Sequence, residues 1–79
     1  VAVRELVEFI AKKLVQHPED VQVREIENED GHIFELRVNP DDMGRVIGKE
    51  GRTAKALRTV LYTAATKADV RAELEIVEE

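Results

Sequence analysis

Val3, Val7, Ile10 and Leu14, with Leu6 beside them, recur at helical spacing from near the start of the chain. They predict a first helix with an inward apolar stripe. Lys12 and Lys13 suit the negative end of its dipole, and Pro18 pushes His17 out of the α region, so the helix is expected to run to about Gln16. Val21 to Glu27 is rich in β-branched residues, and Asn28-Glu29-Asp30-Gly31 then supplies turn chemistry. From His32 to Asn39 the chain alternates, Phe34, Leu36 and Val38 on one side, Ile33, Glu35 and Arg37 on the other. An antiparallel hairpin with one face on the core follows. Val21 and Val23 are out of phase with Ile26, which predicts a bulge or a twist in its first strand.

Asn39-Pro40-Asp41-Asp42 is a helix start, with proline tolerated in the first turn and acids favoured near the positive dipole end. That helix is short: Met43, Val46 and Ile47 are expected to face inward before Gly48 ends it. A longer helix follows Gly51. Ala54, Leu57, Leu61, Ala64 or Ala65, and Ala68 form its buried stripe, whereas Arg52, Lys55, Arg58 or Thr59, and Tyr62 line another face. Val70, Ala72, Leu74 and Ile76 alternate with polar residues and read as a third strand. The predicted order is α-β-β-α-α-β.

With 79 residues, the chain suffices for one thin core and one domain, 1–79. Its 43% hydrophobic and 37% charged residues describe a folded, well-hydrated globule. No apolar run approaches the roughly 18 residues of a membrane span, and no basic start leads into an apolar leader, so the expected location is cytoplasmic and no membrane partner is expected. Cysteine and serine are absent. A nucleophilic triad would need threonine, and His17 and His32, read as surface residues, have no matched carboxylate spacing. Gly44 to Gly48 has three intervening residues where a nucleotide-binding Walker loop needs four, and Glu50 stands where that loop needs Ser or Thr. No enzyme activity, cofactor, metal or small-molecule substrate is expected.

Charge changes the picture. The chain carries a net −5, yet residues 43–67 hold Arg45, Lys49, Arg52, Lys55, Arg58 and Lys67 against the single acid Glu50, a local +5. The other six basic and sixteen acidic groups give −10. Because screening limits a charge's reach to about 8–10 Å at physiological ionic strength, the local island decides what binds there. At its centre Gly48-Lys49-Glu50-Gly51 lets one helix stop and another begin within four residues, leaving backbone amides beside Lys49 and Arg52. That is a site shaped for phosphate. Glu50 departs from a purely basic loop, and its carboxylate beside phosphate is expected to weaken binding unless it turns to solvent or caps the next helix. Phe34 and Tyr62 are read as packing residues.

The order of elements and Val46-Ile47-Gly48-Lys49-Glu50-Gly51 between two helices resemble a type II KH domain. More closely, Glu5 to Lys12, His17-Pro18-Glu19-Asp20-Val21, Asp42 to Lys49 and Ala54 to Arg58 resemble the small bacterial single-KH RNA-binding proteins of the KhpA family. The resemblance covers the whole chain. It implies an α+β fold, a three-stranded mixed sheet with three helices packed on one face. It implies single-stranded RNA as partner, about four nucleotides clamped by the loop, with bases in the adjacent groove. Gly48 and Gly51 would admit the sugar-phosphate backbone, Lys49 would meet phosphate, and Arg45, Arg52 and Lys55 would extend the track past Glu50. Ile47 would form part of the groove floor. It further implies a homodimer, or a heterodimer with a larger KH-containing RNA-binding protein, and a role in RNA regulation or chaperoning linked to cell elongation and division. The residues alone do not separate RNA from single-stranded DNA, and they expose no stripe for self-association.

Overall fold

The computed structural model describes residues 2–78. Its elements are α1 (Val3–Leu14), β1 (Gln22–Asn28), β2 (Gly31–Val38), α2 (Met43–Ile47), α3 (Arg52–Lys67) and β3 (Ala72–Glu78), with single 3₁₀ turns at Pro18–Asp20, Pro40–Asp42 and Lys49–Gly51. This is the α-β-β-α-α-β order of a type II KH fold. The strands lie in the order β1-β2-β3, the first pair antiparallel and the second parallel, which makes the sheet mixed.

The hairpin pairs Asn28 with Gly31 around Glu29-Asp30, and the register then runs unbroken to Gln22 opposite Arg37. Of the two alternatives, a bulge or a twist, the unbroken register excludes the bulge. Ile26 is out of phase because it sits on the outer face of the sheet, where its cross-strand neighbour is Ile33. Val23 faces the other way with Phe34, Leu36, Val38 and Leu74, and onto that face the helices pack.

One cluster joins all layers: Val7 and Ala11 of α1, Val46 of α2, Leu57 and Leu61 of α3, and the inward residues of the sheet. Burying each large side chain of this set contributes about 1.5–3 kcal/mol. Ala54 and Ala65 are buried as the helical stripe predicts, while Ala68 is exposed beyond the end of α3. β3 begins at Ala72, two residues later than the alternation beginning at Val70 suggests.

α1 stops at Leu14, short of Gln16, and Val15 is already extended. The reason lies in the α2 entry. Asp42 is 1% exposed, and its two carboxylate oxygens accept the backbone N–H groups of Gln16 and His17, each at 3.0 Å. Those amides would otherwise bond back along α1. Leu14, expected to face inward, is instead exposed at the rim between α1 and α3, because Val7 and Ala11 hold the centre of the stripe.

Candidate functional site

α2 is little more than one turn, and it ends where the Gly48 N–H donates to the Gly44 carbonyl at 2.9 Å. Gly48 then adopts φ 77°, ψ 172°, a region that only glycine occupies freely. Glu50 (φ 57°, ψ 26°) and Gly51 (φ 73°, ψ 15°) follow in the left-handed region, and the Gly51 N–H closes the turn on the Gly48 carbonyl at 3.1 Å. Sixteen residues of α3 start immediately afterwards with no side-chain cap. The first turn of α3 therefore presents its positive dipole end to whatever approaches the loop.

The two glycines serve different purposes. A Cβ on Gly48 would lie 2.7 Å from the Cβ and 2.8 Å from the backbone nitrogen of Thr53, in addition to meeting its hydroxyl. The space in the Cβ direction at Gly48 is thus filled by Thr53, so a glycine is required there by the protein's own packing. At Gly51 a Cβ meets nothing within 4 Å. Gly51 therefore faces open space.

Glu50 does not cap α3. Its carboxylate lies 3.7 Å from the Arg52 guanidinium, and both side chains are largely exposed, so the pair contributes little to stability. Its effect is to neutralise part of the charge beside the loop. Arg45 is drawn to Asp42 at 3.6 Å, which fixes it at the base of α2. Among the described residues Lys49, Lys55 and Arg58 have no carboxylate within ion-pair distance, whereas Arg4 and Lys12 of α1 share Glu8. Lys13, Arg24 and Arg71 are likewise unpaired among the described residues, but only around the loop and along α3 do several such cations fall on adjoining elements.

Arg52, Lys55 and Tyr62 are exposed along one side of α3, with Arg58 half-buried. Thr59 is exposed on the same helix and donates its hydroxyl to the Lys55 carbonyl at 3.0 Å. Ile47 is 39% exposed next to the loop, while its neighbour Val46 is fully buried. Of the two, only Val46 belongs to the core. Phe34 is core, as read from the sequence; Tyr62, read the same way, is 45% exposed. His32 also departs from its reading as a surface residue: its ring is only 18% exposed, bonded to Glu25 and stacked on Phe34 at 6.3 Å.

Two features had no sequence signal. Asp42 looks like an ordinary acid in a helix start; its partners lie 25 and 26 residues away, beyond the reach of any local pattern. The second is an apolar groove between α1 and α3, where Ile10 and Leu14 face Ala56, Leu57 and Val60. Phe9 of α1 is 61% exposed, with Lys13 over its ring. His17, Glu19 and Asp20 are the ligand-type residues that cluster on one turn, within 4.8 Å of one another. Asp20 is already committed to the Asn39 amide at 2.9 Å, and the cluster is at the surface.

The family model described as the KhpA/KhpB KH domain matches residues 4–76. The RNA-binding protein KhpA of Halalkalibacterium halodurans is 60% identical over 75 residues, covering 92% of this chain and 96% of that protein. The protein of the same name from Clostridium perfringens is 55% identical over 74 residues, covering 94% and 99%. A crystal structure of Era from Aquifex aeolicus superposes with a TM-score of 0.70 at 19% identity, over 96% of this chain and 29% of Era, a likeness of fold.

Proposed function

The chain belongs to the KhpA/KhpB KH-domain family, and from that premise we propose that it binds single-stranded RNA at the Gly48–Gly51 loop. The observation that carries this reading is the set of unpaired cations Lys49, Lys55 and Arg58 ranged around an uncapped helix start. Phosphate meets the Lys49 and Arg52 side chains at the positive dipole end of α3; Arg45 and Lys55 continue the track. Ile47 offers an apolar surface to sugar or base. A loop that clamps about four nucleotides makes few phosphate contacts, so binding by one copy is weak and strongly salt-dependent. The cellular role that fits such binding is RNA chaperoning or post-transcriptional regulation in the cytoplasm, linked to cell elongation and division.

The double variant Lys49→Asp, Glu50→Asp tests the loop. Turning one attraction at about 4 Å into a repulsion costs roughly 2 kcal/mol even at the dielectric of water, or about 30-fold in affinity. Titration of short RNAs is expected to show at least that loss with an unchanged melting temperature. Equal binding by the folded variant overturns the reading.

A second reading, that pairing is the main task, is favoured by the groove between α1 and α3. A two-fold contact needs a self-complementary patch, and α1 carries both an exposed Phe9 and, with α3, an apolar slot lined by Ile10, Leu14, Ala56 and Val60. Pairing two weak sites raises avidity without new RNA contacts. The same patch suits a larger KH-containing partner. Sedimentation should give a dimer for the wild type and a monomer for Val60→Glu, with melting unchanged; a wild type that stays monomeric at cellular concentration and recovers no partner removes this reading. The loop variant separates the two, because a pure pairing module keeps its cellular activity when RNA contact is lost.

A further inference from the structure

The ridge on α3 continues past the loop. It leads to a half-open cleft of about 510 Å³, where the tip of the β1–β2 hairpin meets the entry to β3. Tyr62, His32, Arg71, Asn28 and Asp30 all line it. Ten residues of helix separate Tyr62 from Arg52, about 15 Å along the axis.

The cleft is preformed. The His32 N–H donates to the Arg71 carbonyl at 2.8 Å, and Gly31 packs so closely on Arg71 that a Cβ there would lie 2.7 Å from the Arg71 Cβ. The His32 ring is fixed by Glu25 and by stacking on Phe34, so this wall does not need to reorganise when a ligand enters.

Its chemistry is that of a base, not of a bare phosphate. Tyr62 contributes an aromatic ring left 45% exposed. The Asn28 side-chain oxygen is used by the Asp30 N–H at 2.9 Å, which leaves the Asn28 amide nitrogen as donor and the Asp30 carboxylate as acceptor. Asp30 and Glu73 in the lining would repel an isolated phosphate. Arg71 has no carboxylate within ion-pair distance among the described residues, so one cation stands free beside the acids.

We propose that this cleft is a second nucleotide subsite, in which a base of the strand leaving the glycine loop stacks on Tyr62 while Arg71 takes the phosphate attached to it. This rests on the RNA-binding reading above and lengthens it: the footprint extends along α3 beyond the nucleotides held at the loop.

Tyr62 is the only tyrosine and the chain has no tryptophan, so its fluorescence reports on this position alone. Oligonucleotides of about four nucleotides, enough for the loop, are compared with others of about twice that length. The longer ones are expected to bind more tightly and to change Tyr62 emission; the shorter ones bind without that change. One stacked base contributes roughly 5- to 150-fold in affinity. Tyr62→Leu should lose that factor for the longer RNA only, Tyr62→Phe should retain it, and Arg71→Gln should lower the salt dependence by about one phosphate contact. Melting curves confirm that the variants are folded. If the longer RNA binds Tyr62→Leu as well as wild type, with no change in wild-type emission, while the loop variant loses binding, the subsite is wrong and the loop reading stands. If the wild type binds neither length, both fall.

Discussion

Alanine at position 48 is expected to unfold much of this protein at moderate temperature, whereas alanine at position 51 leaves it folded. Gly48 sits at φ 77°, ψ 172°, where a Cβ costs about 1–3 kcal/mol in backbone strain. The same Cβ would also enter the space held by Thr53, 2.8 Å from its backbone nitrogen, in the first turn of α3. Backbone cannot swing aside as a long side chain can, so overpacking adds about 1–3 kcal/mol more. The sum is roughly 2–6 kcal/mol, against a total of about 4–12 kcal/mol for a domain of this length. Gly51→Ala carries only the left-handed penalty of about 1–2 kcal/mol, since nothing lies within 4 Å of its new methyl. Each kcal/mol moves the melting temperature of so small a domain by about 4–8 °C. Equal melting temperatures for the two variants would refute this division of labour. The comparison also bears on binding, because the methyl at position 51 projects into the open approach to the loop and should weaken RNA binding in a protein that is still folded.

Asp42→Asn is expected to be nearly as damaging, although the two side chains have almost the same shape. Both carboxylate oxygens accept backbone N–H groups, from Gln16 and His17, in a site only 1% exposed. An amide there turns one acceptor into a donor facing another donor. Losing a charge-assisted bond and leaving a buried N–H unsatisfied costs about 2–4 kcal/mol. Amide exchange at Gln16 and His17 should accelerate in step with the loss of stability, and Arg45, which leans on the same carboxylate at 3.6 Å, should lose its fixed position. Wild-type stability in Asp42→Asn, with both amides still protected, would refute the account. Arg45 is one of the cations assigned to the RNA track, so the substitution should also weaken RNA binding by more than its charge at position 42 suggests.

Much of the fold was legible because its signals are local. Alternation in 32–38, the helical stripe Ala54, Leu57, Leu61 and Ala65, and turn residues at Asn28 to Gly31 each constrain the backbone within one or two turns or a single strand. The misreadings share a different origin. Ile26 suggested a bulge because an apolar residue on the uncovered face of a sheet breaks a one-sided pattern without breaking the register. Leu14 and Tyr62 lie within helices whose existence was clear, but burial depends on which neighbours stand across from them. Periodicity places a residue on a face; it does not say how wide the covered part of that face is.

The same boundary runs through the candidate site. The residues Gly48 to Gly51, the local +5 and the order of elements determined that two helices meet at a cationic turn, and the resemblance to KH domains rests on those residues. Only tertiary structure decided that Gly48 is required by Thr53, that Asp42 ties the end of α1 to the start of α2, and that the α3 ridge runs from the loop to a cleft at the hairpin. Each of these depends on contacts between segments far apart in the chain, whose geometry is fixed when helices and sheet close on a common core. Hydrophobic periodicity and turn chemistry act over a few residues, and a single sequence records those contacts only in the residues that meet.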